Sequence, residues 1–310
     1  MKNISRIEVA VCAALLSSPL AAAENPITIS GAAEVEANMS EDYAGASTAD
    51  IVVATAAFVV DAQINDSVSA HLAFLYEEDA AAFDGSTFVL DEATVTLQFN
   101  TATSLSAGRM YVPFGSFESN MVSDPLTLDL GETSETAIMV GMESSNISGS
   151  LYTFNGDTDE TSATDNGALS FGGNITYSTD TLWMGAGYIS NIADSDGIQD
   201  DSVPFTVDSA VAGMGVNFGM KINSFTLLVE HVAAMESFTN GDLGGGVTNE
   251  ETPTASNVEA AFLGLPETAT SVAVSFDVME GAGVGVEYRT SEDYAGDDDS
   301  TFTLQLAVEF

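Results

Sequence analysis

The chain has 310 residues, of which 47 are acidic and only five are lysine or arginine, and its formal net charge is −42. Nucleic acid as a partner is excluded, because binding it requires clustered lysine and arginine side chains. Charge this extreme often accompanies disorder, but 45% of the residues are hydrophobic, so we expect a folded chain. Its acidity fits either a saline habitat or a cation-attracting surface.

The first 23 residues are predicted to be a secretory signal peptide. Lys2 and Arg6 precede an apolar stretch that ends at Leu20, and three alanines follow as a cleavage pattern. The apolar stretch is shorter than the roughly 20 residues that a membrane-spanning helix needs. Cys12, the only cysteine, lies in this leader. We expect an exported mature domain, residues 24–310, with 46 acidic and three basic side chains and a net charge of −43.

Apolar and polar residues alternate with a period of two along much of the mature chain. Successive side chains of a β-strand point to opposite faces, so such segments predict strands with one apolar and one polar face. The clearest segments are ITISGAAEVEAN, IVVATAAFVVDAQI, VSAHLAFLY, EATVTLQF, LSFGGNITY and SVAVSFDVM. In the second segment the residues predicted to share the apolar face are Val52, Ala54, Ala56, Phe58, Val60 and Ala62.

Short turns and long loops alternate between these predicted strands. The long, Gly-, Asp- and Ser-rich loops are residues 39–49, 77–87, 113–134, 155–167, 191–208, 235–269 and 291–299. This alternation is typical of outer-membrane barrels. The predicted fold class is therefore all-β, a transmembrane antiparallel β-barrel of 14 strands. The alternative is 16 strands, if the segment NVEAAFLG forms an extra hairpin.

The segment GRMYVPFGSFESNMVSDPLTLDLGETSETAIMVG, residues 108–141, contains one of the three basic residues of the mature chain. An arginine that faces lipid costs roughly 2–4 kcal/mol at the middle of the membrane. Arg109 and Tyr111 are therefore expected to face the lumen, with Met110 and Val112 facing lipid. Arg109 then serves either as a filter residue or in an ion pair that holds the wall.

Residues 113–134 follow this strand and are long enough to fold inward and narrow a pore. Phe117 and Glu118 are the candidate constriction residues of this loop. Glu92, on the polar side of EATVTLQF, is a further candidate for the pore wall. Glu287 and Arg289 are two residues apart in GVGVEYRT, so both are expected to face the lumen as an ion pair.

Neither a catalytic nor a metal constellation is predicted. The two histidines, His71 and His231, have no nearby serine or cysteine in a recognisable motif, and two histidines make a poor metal cluster. The acidic loop DSDGIQDD, residues 194–201, offers the oxygen ligands that calcium prefers, but its spacing does not fit an EF-hand. We expect no enzyme activity, no cofactor and no specific metal site.

The segment TFTLQLAVEF is predicted to be the strand that closes the barrel. Its apolar residues alternate without a break, and the residues on that face are Phe302, Leu304, Leu306, Val308 and Phe310. Closure satisfies the backbone amides, which an open sheet in lipid cannot do. Phe310 resembles the C-terminal assembly signal of bacterial outer-membrane proteins, which implies the barrel assembly machinery as a partner.

The segment GRMYVPFGSFESNMVSDPLTLDLGET resembles the signature of the LbtU-type siderophore porins of Gram-negative bacteria, relatives of the phosphate-selective porins. EAAFLGLPETATSVAVSFDV and GVGVEYRTSEDY resemble the C-terminal half of that family. The resemblance implies an outer-membrane barrel that lets iron-loaded siderophores pass without an energised receptor. This chain differs from the family in its greater acidity and its shorter segment around residues 235–269.

The predicted function is passive diffusion through a water-filled barrel in the outer membrane of a Gram-negative bacterium. The resemblance implies ferric siderophores as the solute. The alternatives are a general cation-preferring channel, and a structural barrel whose acidic loops bind lipopolysaccharide or divalent ions. Lipid and lipopolysaccharide are the expected surroundings, and homotrimerisation, common among such porins, is left open.

Overall fold

The computed structural model describes residues 27–78, 87–119, 121–160, 169–199, 206–222, 225–239, 242, 268–293 and 296–310. Its strands are β1 (Ile27–Glu41), β2 (Ser47–Asn65), β3 (Val68–Glu77), β4 (Thr87–Asn100), β5 (Thr103–Tyr111), β6 (Ser134–Ser144), β7 (Ile147–Asn155), β8 (Asp159–Glu160), β9 (Leu169–Ser178), β10 (Leu182–Ile189), β11 (Thr206–Val207), β12 (Gly213–Ile222), β13 (Phe225–Ala234), β14 (Thr268–Met279), β15 (Ala282–Glu292) and β16 (Asp298–Glu309). The helices are α1 (Leu126–Gly131), α2 (Asp196–Gln199) and a 3₁₀ turn (Ile192–Asp194). In the described part of the chain, every helix is too short or too polar to cross a membrane.

Fourteen of the strands form one antiparallel sheet, in the order β13-β12-β10-β9-β7-β6-β5-β4-β3-β2-β1-β16-β15-β14. β8 and β11 form a separate two-stranded parallel pair. Strands β1 and β16, from the two ends of the described chain, are hydrogen-bonded neighbours. The predicted all-β class and the predicted 14 strands are confirmed. The segment NVEAAFLG, on which the 16-strand alternative depends, lies outside the described residues.

The chain forms two compact units. The first unit contains residues 1–93, 118–125 and 259–310, and the second contains residues 94–117 and 126–258. In each unit, one face of the sheet exposes large hydrophobic side chains, and we call it the apolar face. The opposite face, which carries most of the polar and charged strand residues, is called the polar face.

Strands β1 and β16 of the first unit show the predicted alternation. In β1, Val35 is 40% exposed, whereas its neighbours Glu34 and Glu36 are buried. The four residues of the predicted apolar face that lie in β16 are exposed, as is Phe310, which follows the strand, while Thr303 and Gln305 are buried. Gln305 Nε2 donates to Glu34 Oε2 (3.3 Å) and to Glu36 Oε1 (3.1 Å), so the polar faces of the two strands are joined by side chains.

Strand β2 departs from the prediction at a β-bulge. Opposite the neighbouring residues Glu34 and Val35, β2 supplies Thr55 and Val53, so Ala54 is an extra residue. An extra residue inverts the alternation on one side of the bulge. Residues after the bulge, such as Phe58, therefore lie on the apolar face as predicted, whereas Val52, which was expected on that face, is buried opposite Glu36.

The first unit contains the sequence SEDYAG twice, at residues 40–45 and 291–296. Both copies connect neighbouring strands, β1 to β2 and β15 to β16. In each copy the backbone amide of the aspartate, Asp42 or Asp293, donates to the carbonyl four residues later (3.0 and 2.9 Å). The side chain of the same aspartate accepts from the amide of that later residue (2.8 and 2.9 Å). The aspartate of each copy, Asp42 or Asp293, therefore forms the same pair of hydrogen bonds.

Two predicted long loops, residues 39–49 and 291–299, are consequently shorter than expected. Strand pairing continues to within one residue of each aspartate, and both turns use a glycine with positive φ, Gly45 (77°) and Gly296 (84°). Glycine adopts this backbone conformation without steric cost. The loop prediction failed here because polar residues at strand ends resemble loop residues in sequence.

Candidate functional site: the loop after strand β5

A long connection between neighbouring sheet strands is the 113–134 loop, which joins β5 to β6 and contains α1. Its two limbs meet at the neck, where the Val112 amide donates to the Thr133 carbonyl (2.9 Å). Residues 113–117 and 126–134 belong to the second unit, whereas residues 118–125 belong to the first. We call the former the base of the loop and the latter its tip.

Glu230 of β13 holds the base of the loop. Its Oε1 accepts from the Ser116 amide (2.7 Å), and its Oε2 accepts from the Phe117 amide (2.9 Å) and from the Thr127 hydroxyl (2.9 Å). Two consecutive backbone amides and a hydroxyl thus converge on one carboxylate. Because Ser116 and Thr127 lie on different limbs, Glu230 ties the two limbs together.

Apolar packing and glycine residues also position the base. Phe114, Leu128 and Leu130 are almost wholly buried. The Phe114 carbonyl oxygen lies against Gly187 of β10 so closely that a Cβ atom at that glycine would overlap with it. Glycine is typical of positions where another backbone approaches a strand this closely.

Phe117 lies where the base passes into the tip, and its backbone is strained. Its φ is 52°, a value that residues with a Cβ adopt infrequently. The Phe117 ring packs against Gly115 and Gly131, where added Cβ atoms would collide with it. The hydrogen bond to Glu230 and this ring packing together hold the unfavourable conformation.

Glu287 of β15 holds the tip of the loop. Its Oε2 accepts from the backbone amides of Val122 (2.5 Å) and Ser123 (2.9 Å), and its Oε1 accepts from the Ser123 hydroxyl (2.5 Å). Glu287 is 2% exposed and Val122 is 6% exposed. Hydrogen bonds to an ionised acceptor are stronger than neutral ones, so Glu287 fixes the tip on the polar face of β15.

The predicted orientation of Arg109 and Tyr111 is wrong. Met110 is buried, and it shares the polar face with Ser106, whose hydroxyl lies 2.8 Å from that of Thr96. Arg109 pairs with Thr136, is exposed, and lies on the apolar face. The physical reason for this orientation is the 113–134 loop, which covers the polar face at this end of β5.

Beneath the loop, the polar face of this strand end meets protein rather than water. Apolar residues are therefore favoured there, and Met110 and Val112, which were expected to face lipid, are each 4% exposed. Arg109 lies two residues before the end of β5, where a long charged side chain can extend along an apolar surface to water. The cost of an arginine at the middle of the membrane does not apply to this position.

The predicted ion pair between Glu287 and Arg289 is also wrong. The two residues do share the polar face of β15, as expected from their spacing. However, the contacts of the Glu287 carboxylate are the tip residues described above, and Arg289 forms no ion pair with it. The loop supplies donors that a strand-by-strand prediction does not include.

Glu92 lies on the polar face of β4 and is buried. His71 Nε2 lies 3.3 Å from Glu92 Oε2, at ion-pair distance but without hydrogen-bond alignment, and His71 Nδ1 lies 2.7 Å from Asp61 Oδ1. The polar face of β2, β3 and β4 thus contains two carboxylates around one imidazole. Glu118 and Phe117 lie in the loop, and the predicted pore roles of the five candidate residues other than Arg109 and Tyr111 remain predictions.

The acidic segment at residues 194–201 is built into the loop region of the second unit. Asp194 is buried and accepts from the Ser170 hydroxyl (2.6 Å) and the Thr158 amide (3.1 Å). Burial raises the pKa of Asp194, and these hydrogen bonds partly oppose that rise. Among the described residues, acidic and histidine side chains form no group that could hold a metal ion. Asp200 and Asp201 lie outside the described residues.

Glu230 is the main site residue that the sequence analysis missed. It occurs in TLLVEHVAA, where apolar residues lie on both sides of the acidic residue. Leu227 and Val229 are exposed on the apolar face, so Glu230 faces the opposite way. An isolated carboxylate on the polar face of an otherwise apolar strand was a usable signal, because such a group needs donors from elsewhere.

An antiparallel sheet with an exposed apolar face and a long loop fixed to its polar face is typical of outer-membrane porins. Two solved structures show the same fold. OprB of Pseudomonas putida matches with a TM-score of 0.57 and 11% identity, over 92% of this chain and 94% of that chain. A mutant porin of Rhodopseudomonas blastica matches with a TM-score of 0.54 and 14% identity, over 92% of this chain and 100% of that chain.

The family model described as phosphate-selective porin O and P matches residues 35–189, and the chain belongs to this family. A UPF0422 protein of Coxiella burnetii is 27% identical over 89% of this chain. A UPF0422 protein of Legionella pneumophila is 28% identical over 70% of this chain. The matches span 66% and 46% of the lengths of these two relatives. Family and fold place the protein in a bacterial outer membrane, and porins are channels rather than enzymes.

Proposed function

We propose that this protein is a passive diffusion porin in which the 113–134 loop forms the constriction. The observation that carries the proposal is the attachment of the loop to polar-face carboxylates of two strands, Glu230 and Glu287. A flexible surface loop does not need two buried or half-buried carboxylates to fix it. A loop fixed to the water-facing side of a barrel wall narrows the passage for solutes.

The polar-face residues near this loop complete the proposed filter. Arg289 lies two residues beyond Glu287 on the same face of β15, and Phe117 and Glu118 lead into the tip. Glu92, with His71 and Asp61, lines the polar face elsewhere in the first unit. Arg109 and Tyr111 are omitted from the filter, because they lie on the apolar face.

The solute proposed first is a ferric siderophore. Its support is the resemblance of GRMYVPFGSFESNMVSDPLTLDLGET to the LbtU-type siderophore porins, a segment that includes the whole tip and Phe117. The proposal also includes a leader at residues 1–23, a barrel domain at residues 24–310, and Phe310 as the assembly signal. Lipopolysaccharide, the barrel assembly machinery and a homotrimeric state belong to the same proposal.

A second candidate is a general, cation-preferring channel without a specific ligand. The observation that favours it is the set of carboxylates on the polar face of the first unit. Glu34 and Glu36 are buried there, and the neutral Gln305 amide donates to both carboxylates. Carboxylates that line a passage attract cations and repel anions.

The test is single-channel recording of the refolded protein in a planar bilayer under a salt gradient, followed by addition of a ferric siderophore. Conductance that the siderophore blocks supports the siderophore porin. Cation current that the siderophore leaves unchanged supports the general channel. A folded barrel without conductance contradicts both candidates.

A further inference from the structure

The described loop contains two pairs of consecutive backbone amides that converge on one acceptor. Ser116 and Phe117 form the first pair, and Val122 and Ser123 form the second. Successive N–H groups of this kind form a concave site that binds anions such as phosphate. In this protein both sites are already occupied by carboxylates of the same chain, Glu230 and Glu287.

Resting on the proposed function, we infer that the constriction rejects phosphate and other anions and admits neutral or cationic solutes. The specificity-determining residues are Glu287 and Glu230. Each one fills an amide pair that would otherwise attract an anion, and each one adds its own negative charge to the polar face. The inference assigns this chain solutes of the opposite charge to the phosphate after which its family is named.

The distribution of the basic residues supports the inference. The chain beyond the predicted leader has three lysine or arginine residues, namely Arg109, Lys221 and Arg289. Arg109 lies on the apolar face. Lys221 lies one residue before the end of β12, with its Nζ 5.6 Å from the centre of the Trp183 ring. Of the three, Arg289 is the one that neighbours a glutamate bound to the loop, two residues from Glu287 on the polar face of β15.

The imidazole of His71 does not reverse the excess of negative over positive charge on the polar face. It lies between Asp61 (2.7 Å) and Glu92 (3.3 Å), so a positive charge there is outnumbered by two carboxylates. An anion that enters such a passage loses hydration and meets negative charge in a medium of lower dielectric than water, where repulsion is stronger. The same field lowers the energy of a cation.

The inference extends to the proposed ferric siderophores. Ferric complexes of hydroxamate ligands are neutral or positively charged, whereas ferric complexes of catecholate ligands are negatively charged. A filter that contains the Glu287 carboxylate selects the first group. The structure thus narrows the cargo by charge, although both groups are of similar size.

The experiment measures reversal potentials in a potassium chloride gradient, first for the wild-type channel and then with inorganic phosphate added. Glu287→Ala vacates the amide pair at the tip, and Glu287→Gln keeps the side-chain shape but removes its charge. Glu143→Ala, at an exposed position near the end of β6, is the matched control. We expect a cation-selective wild type that phosphate does not block. Glu287→Ala should raise the chloride-to-potassium permeability ratio several-fold, and phosphate should block this variant. Glu287→Gln should raise the permeability ratio less. The Glu143→Ala control should change neither the permeability ratio nor the response to phosphate.

Conducting wild-type channels that prefer chloride, or that phosphate blocks, would overturn the inference while leaving the porin proposal intact. Unchanged selectivity in both Glu287 variants would overturn the assigned role of Glu287. A folded wild-type protein without conductance would refute the porin proposal, and the inference would fall with it. These outcomes are distinguishable because conductance and ion preference are separate readings of the same recording.

Discussion

The base and the tip of the 113–134 loop are each held by one glutamate, but they differ in what else holds them. At the base, Glu230 is joined by the buried side chains of Phe114, Leu128 and Leu130 and by the close approach to Gly187. At the tip, Glu287 accepts from the backbone amide of the buried Val122. The base is therefore part of the apolar core of its unit, whereas the contacts that Glu287 makes with the tip are hydrogen bonds.

The largest expected effect is that of Glu230→Ala on stability. The change removes three hydrogen bonds to a carboxylate and leaves two backbone amides of the base without their acceptor. We expect a loss of about 3 kcal/mol in the free energy of unfolding, because each hydrogen bond to a charged group contributes about 1.5–3 kcal/mol and partial exposure reduces the sum. Urea unfolding in detergent micelles measures this loss of stability. A loss no larger than that of Glu143→Ala would contradict the proposed structural role of the base.

The next effect concerns the glycine under the base. Gly187→Val places a side chain where the Phe114 carbonyl lies, so the base must move. Overpacking of this kind costs about 1–3 kcal/mol. Ala186→Val is the matched control, since Ala186 is exposed on the apolar face of the same strand. Equal stability of the two variants would show that the base does not rest on β10.

A smaller loss of stability is expected for Glu287→Ala, about 1.5 kcal/mol, because the polar space that the truncated side chain leaves admits water to the freed tip amides. Glu287→Ala should nevertheless change the channel current more than the more destabilising Gly187→Val does, since in Glu287→Ala the tip moves without the base. Open-channel noise and mean conductance, recorded at one salt concentration, measure this effect. A Glu287→Ala channel as quiet as the wild type would remove the distinction between base and tip.

The strand pattern could be predicted from the sequence, whereas the contacts of the loop could not. Alternation placed the faces of β1 and β16 correctly, because these strands have chemically different surroundings on their two sides. It failed at Met110 and Val112, because the loop replaces water with protein on the polar face there. The alternation predicted an ion pair between Glu287 and Arg289. This pair does not form, because loop amides far away in sequence bind the Glu287 carboxylate. Glu230 had no partner in its own strand that would have indicated its role.

A pH dependence is expected outside the membrane-spanning strands, at Asp194. Burial raises the pKa of this carboxyl in the folded protein, so the folded state binds its proton more tightly than the unfolded state does. The contribution of Asp194 to stability therefore decreases as pH rises from about 4, the ordinary value for an aspartate, through the raised pKa. The difference in free energy of unfolding, wild type minus Asp194→Asn, should decrease over that range. An increase would contradict the assigned environment.

The smallest effect is expected for Arg109→Glu. Because Arg109 lies on the apolar face near the end of β5, this variant should leave the reversal potential unchanged. Arg289→Glu, on the polar face two residues from Glu287, should shift the reversal potential toward stronger cation preference. The two recordings together test which face of the sheet each arginine occupies. A larger shift for Arg109→Glu than for Arg289→Glu would reverse the assignment.

The most direct test of the constriction is to release the tip and then fix it again. In a Glu287→Ala background, Val122→Cys and Gly285→Cys place two thiols at neighbouring positions, since a Cβ at Gly285 would lie 3.1 Å from Val122 Cγ2. The account predicts altered, noisy single-channel conductance in the reduced protein and a return to wild-type conductance when the disulfide forms. Identical conductance of wild-type, reduced and oxidised channels would contradict the claim that the tip of the 113–134 loop controls the pore.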